Sequence, residues 1–263
     1  MPQMPASFPE MYERFLVQPL FAPWAHQLLD RVELRAGIAL LDVACGTGIV
    51  ARLARERLSG DLRGVGVDRN PAMLDVARRI TSAIDWREGD ALALPITDER
   101  FDVVCCHQGL QFIPDKVAAI REMRRVLAPG GRVAVGVWRS LEENGLFHEL
   151  GNVARELVGP IADARHSFAD DRTLASLLEG AGFREVVVEP TSLDVRFEID
   201  SSMLARLNAM AVVGMSSAGK TLSDEERLAV VERIIDASLP VIGRYTSGGA
   251  IIFPTAANIA LAR

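Results

Sequence analysis

The sequence predicts an α/β fold, a mostly parallel sheet with helices on both faces, on three observations. Short apolar runs alternate with amphipathic stretches from residue 38 to residue 138, the order in which crossover helices join parallel strands. One run, Leu40-Leu41-Asp42-Val43-Ala44-Cys45-Gly46-Thr47-Gly48-Ile49-Val50-Ala51, passes from strand through a Gly-x-Gly turn into a helix. Glycine there lets bare backbone approach a ligand, and the helix that follows offers unpaired N–H groups in its first turn. Finally, Pro129-Gly130-Gly131 separates a helix from the next strand, because proline cannot continue a helix and glycine permits a sharp reversal.

Taken in order, residues 10–34 read as one or two amphipathic helices broken around Pro19 and Pro23. Strand 38–43 and helix 48–58 frame the glycine turn. Strand 62–67 leads to Asp68, and helix 71–82 opens on Pro71, a residue suited to the first helical position. Strand 84–88, a loop containing Pro95, strand 101–106, helix 115–127 and strand 132–138 follow. Beyond them, 146–158 and 171–180 read as helices, 184–195 as a strand and 200–240 as helical again. Ser223 and Glu226 have the spacing of a capping box. Ala250-Ile251-Ile252-Phe253 and Asn258-Ile259-Ala260-Leu261-Ala262 close the chain as a final strand.

Two ligand classes fit the glycine turn. Gly46, Gly48 and Ala51 satisfy the dinucleotide fingerprint, and Asp68 stands near the spacing of a ribose-binding acid. An NAD(P)-dependent oxidoreductase is therefore one reading. Asp42 argues the other way, since a carboxylate ahead of the glycines opposes a pyrophosphate and suits a cation. That difference is worth roughly 1 to 4 kcal/mol at contact distance. After Asp68, Asn70-Pro71-Ala72-Met73 adds a helix start with a soft apolar wall, and Gly89-Asp90-Ala91 supplies a third acid at a strand end.

On the segments LLDVACGTG, VGVDRNPAML, EGDALALPITDERFDVVCCHQGLQFIPD and VLAPGGRVAV, in that order over residues 40–137, the chain resembles the class I S-adenosylmethionine-dependent methyltransferases. The likeness is to the branch acting largely on small molecules, and it extends more loosely through Glu179-Gly180-Ala181-Gly182-Phe183. It implies a Rossmann-like seven-stranded sheet, mostly parallel with an antiparallel final strand. It also implies a single methyltransferase domain over 1–263 with an N-terminal helical lid at 8–34 and a helical cap at 197–247. S-adenosyl-L-methionine is the implied cofactor and S-adenosyl-L-homocysteine the product. By the same resemblance, the loop Ala44 to Gly48, with Gly46 at its centre, packs on the amino-acid and ribose portions, and Asp42 positions the ammonium. Asp68, with Arg69 beside it, takes the ribose hydroxyls, while Asp90 and the Ala91 N–H read the adenine. Met73 and Asn70 line the adenine pocket, and His107 or its backbone lies near the methionine portion.

Composition narrows the partners. The net charge of −6 argues against nonspecific nucleic-acid affinity, which rests on clustered Lys and Arg. Arg121, Arg124 and Arg125 have the spacing of a solvated helix face. No run approaches the roughly 18 apolar residues of a membrane span, and Met1-Pro2-Gln3-Met4-Pro5 has no signal-peptide pattern. The expectation is a soluble cytoplasmic protein with a small-molecule acceptor, no nucleic acid and no membrane partner. Cys45, Cys105 and Cys106 form no C-x-x-C pair and no zinc spacing, so buried, reduced thiols and no metal site are expected.

Methyl transfer is an in-line displacement, so the protein mainly aligns the acceptor; a base is needed only when the acceptor carries a proton. Of the four histidines, His107 at a strand end and His148 on the helix after the fifth strand are the base candidates. Tyr12 is a positioning hydroxyl, and His26 and His166 read as structural or exposed. Tyr12, Phe15, Phe21, Trp24, Phe112, Trp138, Phe147, Met203, Met210 and Met215 suit a flat or greasy acceptor, or equally the packing of a lid. The expected activity is methyl transfer to a small apolar or aromatic metabolite at O, N or C. Non-methylating chemistry on the same fold is the alternative.

Overall fold

A computed structural model describes residues 7–98, 100–168, 170–217, 219 and 221–263. The strands are β1 (Ile38–Val43), β2 (Leu62–Asp68), β3 (Asp85–Glu88), β4 (Phe101–His107), β5 (Leu127–Trp138), β6 (Val187–Phe197), β7 (Thr246–Ser247) and β8 (Ala250–Ala262). One sheet runs β3-β2-β1-β4-β5-β8-β6, and the two-residue β7 pairs with β8. That is the expected seven-strand path with one short addition. β1 pairs parallel with β2 and β4, β2 with β3, and β4 with β5, whereas β5 and β8 are antiparallel.

Strand order explains where a ligand can sit. The chain moves outward from β1 to β3, then returns to β4 on the other side of β1. Right-handed crossovers then place helices on opposite faces and open a crevice at the carboxyl ends of β1 and β4. All six residues of β1 are buried, as a central parallel strand requires, and Asp42 is its one acid.

The helices of this part are α1 (Phe8–Tyr12), α2 (Ala22–Asp30), α3 (Ile49–Arg57), α4 (Pro71–Ile80) and α5 (Lys116–Arg125). Asn70 caps α4 by accepting the Ala72 N–H at 3.0 Å, and Asp115 caps α5 by accepting from Ala118 at 2.9 Å; each satisfies a donor the helix leaves open.

Two sequence expectations are corrected. Pro19 does not break the N-terminal helix. Residues Glu13–Phe21 wind as a π-helix between α1 and α2, with the Ala22 N–H donating to the Val17 carbonyl. Proline lacks an N–H and crowds the carbonyl four residues back, and i→i+5 winding accommodates both defects. Second, β5 begins at Leu127 rather than 132. Leu127 pairs with Phe101 before a register shift, and Arg132 then pairs with Val103. Pro129-Gly130-Gly131 is therefore a bulge inside the strand, with Gly130 at φ +79°.

The chain forms two compact units: Met1–Trp138, Asp170–Thr191 and Ala257–Arg263 make the first, Arg139–Ala169 and Ser192–Ala256 the second. The helices expected over 8–34 belong to the first. The second holds α6 (Gly145–Val158), α8 (Ser201–Met215) and α9 (Asp224–Arg244), while α7 (Asp171–Gly180) belongs to the first. The Ser223–Glu226 capping box opens α9. An aromatic cluster fills part of the second unit, with Phe253 stacked on Phe197 and edge-on to Phe147.

The N-terminal helix is tied to α3 by Glu13, which accepts from Arg52 at 2.9 Å, with both side chains under one-fifth exposed. Glu13→Ala would leave the Arg52 guanidinium without its partner. A loss of roughly 1 to 3 kcal/mol in unfolding free energy is expected, read from urea denaturation midpoints; an unchanged midpoint would show that the pair contributes nothing.

Candidate functional site

Three residues in left-handed backbone shape the loop after β1: Ala44 (φ +55°), Gly46 (+55°) and Gly48 (+83°). For alanine this conformation costs roughly 1 to 2 kcal/mol, so strain is held at this loop. Gly48 has a further reason to be glycine. A Cβ there would lie 2.0 Å from the Trp86 ring, and one on Gly66 would lie 2.3 Å from it. The indole of Trp86 thus fills the space beneath the turn and is held by its own N–H donating to the Thr81 carbonyl at 2.9 Å.

Asp68 ends β2 and organises the turn. Its Oδ2 accepts the Gly46 N–H at 2.7 Å and its Oδ1 accepts the Asn70 N–H at 2.8 Å. Burial raises its carboxyl above the usual range, and the same two N–H groups pull it back. Each oxygen keeps a further acceptor position. Asp42 is 2% exposed and among the described residues accepts the Ala51 N–H, at 3.3 Å. Burial, followed by the charge on Asp68, pushes Asp42 up to about 7. Thr47 Oγ1 is also buried and has no partner among the described residues. Two buried acids and an unused hydroxyl, with no lysine or arginine ion pair to either acid among the described residues, fit a cationic ligand better than a pyrophosphate.

The other expected residues fall less uniformly. Ala91 is buried, Met73 half-buried, and Arg69 and Asp90 are exposed. Asp90 Oδ1 accepts the Leu92 N–H at 2.9 Å. His107 ends β4 with Nε2 at 3.3 Å from the Phe21 carbonyl. Burial lowers its imidazole to about 4, so the ring is neutral and a weak base at pH 7. Its Nδ1 is enclosed with no partner among the described residues, and a Cβ on Gly136 would lie 2.9 Å from it. His148, on α6 in the second unit, is half-buried beside Asn152. His166 is bonded to Asp163 at 3.1 Å, with its side chain 5% exposed. All three cysteines are free and buried. Among the described residues no group of three ligating side chains could hold a metal ion, and no helix is long and apolar enough to cross a membrane.

Sequence reasoning missed several residues here. Trp86 was legible only through Gly66, an interruption in an apolar strand that makes room for a ring. Gly109 is required because a Cβ there would lie 2.6 Å from the Ala44 Cβ. Gln108, at φ +54°, and Gln111 are buried polar residues that no spacing rule selects.

The strand order and the acid-lined glycine turn at its switch point define a nucleoside-cofactor-binding α/β enzyme. The methyltransferase-domain family matches residues 41–135. The chain is 33% identical to 2-phytyl-1,4-naphtoquinone methyltransferase of Thermosynechococcus vestitus, over 62% of this chain and 80% of that one. It is 31% identical to the ubiquinone/menaquinone biosynthesis C-methyltransferase UbiE of Idiomarina loihiensis, over 62% and 73%. Among solved structures it is similar to YcgJ of Bacillus subtilis, with TM-score 0.57, 19% identity and coverage of 90% and 96%. It is also similar to the 4+2 cyclase SpnF, with TM-score 0.55, 24% identity and coverage of 95% and 84%. The chain belongs to the class I S-adenosylmethionine-dependent methyltransferases, and its cofactor is S-adenosylmethionine.

Proposed function

We propose that the enzyme methylates a small aromatic acceptor, a ring of the quinone or quinol kind. The observation that carries this reading is an aromatic column in the first unit. Tyr12 lies 4.9 Å from Phe21, Phe21 lies 6.3 Å from Trp138, and Trp138 meets Trp24 edge-on at 5.6 Å. The Tyr12 hydroxyl stands 4.0 Å from where a side chain on Gly46 would begin, so the column starts at the glycine turn. Flat acceptors are recognised by such rings, and the relatives above carry naphthoquinone and menaquinone in their names.

S-adenosylmethionine supplies a methyl group activated by a sulfonium. For holding it we assign Asp42 and the Ala44–Gly46–Gly48 loop to the charged and ribose portions and Asp68, with Arg69, to the ribose hydroxyls. Asp90, Ala91 and Met73 are assigned to the adenine. Burial, and then the charges of Glu13, Asp68 and Asp42, keep the Tyr12 phenol protonated, so Tyr12 serves as a hydrogen-bond donor. His107, neutral and enclosed, serves as a wall of the site.

Incubation with methyl-labelled cofactor and a panel of naphthoquinols, catechols and aliphatic amines tests the reading. Label in the ring acceptors is expected; label in aliphatic amines alone, or in none, would overturn it.

Asp42 gives a pH prediction. With its folded value near 7, the carboxylate that attracts a sulfonium is absent at low pH and forms as pH rises through 7. The ratio of S-adenosylmethionine to S-adenosylhomocysteine affinity, which isolates the sulfonium charge, should therefore rise by several-fold from pH 6 to pH 8, roughly 1 kcal/mol. In Asp42→Asn the ratio should stay flat when both ligands are titrated calorimetrically. A wild-type ratio independent of pH, with both affinities rising alike, would assign Asp42 to the ammonium that the two ligands share; affinities that are both flat would remove it from the charged portion of the site.

A further inference from the structure

Gln108 and Gln111 follow β4, on the far side of the β1/β4 crevice from the acids of β2 and β3. Both are buried, 7% and 3% exposed. Gln111 Nε2 donates to Gln108 Oε1 at 3.1 Å. That single bond leaves Gln108 Nε2 and Gln111 Oε1 buried with no partner among the described residues. The conclusion does not depend on which way either amide is turned. Reversing both exchanges the roles, and one unmet amide donor and one unmet amide acceptor still remain on the pair.

Such groups are costly. A buried polar atom without a partner gives up its bonds to water and gains none in return, and native structures hold few of them. Here two occur on one hydrogen-bonded pair, next to a strained backbone. Gln108 sits at φ +54°, where its N–H donates to the Gly136 carbonyl at 2.7 Å. The loop is also fixed from the other side, because Gly109 packs against Ala44. A polar pair held this firmly and left unsatisfied fits a site built for a ligand that brings both partners.

We propose that the Gln108–Gln111 amide pair recognises the acceptor through a vicinal oxygen pair on its ring, a hydroxyl beside a keto oxygen. The free amide N–H donates to the keto oxygen, and the free amide oxygen accepts from the hydroxyl. This proposal rests on the aromatic-acceptor reading and adds the substituent pattern to it. Adenine also offers an adjacent donor and acceptor, but its expected partners lie at the ends of β2 and β3, two and three strands away from this pair.

Calorimetric titration at pH 7 in the presence of S-adenosylhomocysteine tests it with two flat rings, 3-hydroxychromone, whose hydroxyl beside the keto oxygen stays protonated, and chromone. The native protein is expected to prefer the hydroxylated ring by about tenfold or more, since a site built to bond a hydroxyl rejects the analogue without it. Gln111→Met, similar in volume, should bind both rings alike and keep its S-adenosylhomocysteine affinity. It should also melt at a somewhat lower temperature, because Gln108 Oε1 loses the bond from Gln111 and both amide atoms of Gln108 are left unmet. A preference retained in Gln111→Met, or no preference in the native protein while the plain ring binds, would overturn this inference alone and point to a buried bridging water. A parallel fall in S-adenosylhomocysteine affinity would reassign the pair to the cofactor. Binding of neither ring would count against the aromatic-acceptor reading as well.

Discussion

Replacing Gly48 with alanine is expected to destabilise the fold by about 2 to 5 kcal/mol and to abolish measurable cofactor binding. Two costs add. The residue sits at φ +83°, which L side chains rarely adopt, and its new Cβ would stand 2.0 Å from the Trp86 ring. The ring cannot swing aside cheaply, because it is bonded to the Thr81 carbonyl and lies under Gly66 as well. Either the indole or the turn must move, and both form the floor of the cofactor loop. Adding Trp86→Leu to Gly48→Ala should recover the packing cost and leave the backbone cost. Denaturant midpoints and S-adenosylhomocysteine titrations separate the two. A Gly48→Ala protein with native stability and affinity would show that the turn does not depend on the indole.

Asp68→Ala is expected to weaken S-adenosylhomocysteine binding by roughly 3 kcal/mol, about a hundredfold or more. The loss exceeds that of one ligand contact, because Asp68 also holds the N–H groups of Gly46 and Asn70. Its removal loosens the glycine turn and the start of α4 together, so the free protein should also unfold at lower denaturant. Asp68→Asn keeps one acceptor oxygen and should fall between the two. The sign of the pH effect follows from the raised carboxyl. The fold favours the protonated form, so the stability gained that way is present at low pH and is lost as pH rises through the folded value. The stability gap between the native protein and Asp68→Asn should therefore narrow with rising pH. Native-like binding in a folded Asp68→Ala protein would remove this acid from the cofactor site.

Much of this was legible in the chain. The glycine turn, the acids at the strand ends and the alternation of elements are local patterns, so β1, β2 and α4 fall within two residues of their expected bounds. Asp42 and Asp68 were legible for the same reason, since each ends or nearly ends an apolar run. Less local features were hidden. The bulge in β5 depends on pairing with Phe101, which lies on another strand. Trp86 acts through two glycines that are distant in sequence. The burial of His107 depends on Phe21 and Gly136, neither of them its neighbour in the chain, and that burial sets its proton affinity. Gln108 and Gln111 gave no signal, because glutamine in a loop is ordinary until its surroundings show it to be buried.

The π-helical segment has a consequence for angular phase. Nine positions separate Tyr12 from Phe21. At about 3.6 residues per turn they would make two and a half turns and put the two rings on opposite sides of the helix. Winding from i to i+5 takes more residues per turn, so the same nine positions come close to two whole turns and the rings meet, with centroids 4.9 Å apart. Deleting one residue between 13 and 18 would let ordinary winding return, and eight positions at about 100° each would rotate Phe8–Tyr12 by about 80° relative to α2. Tyr12 would then leave its place above Gly46 while every hydrophobic residue of α2 stayed where it is. The azimuth of the aromatic column is therefore set by a residue count.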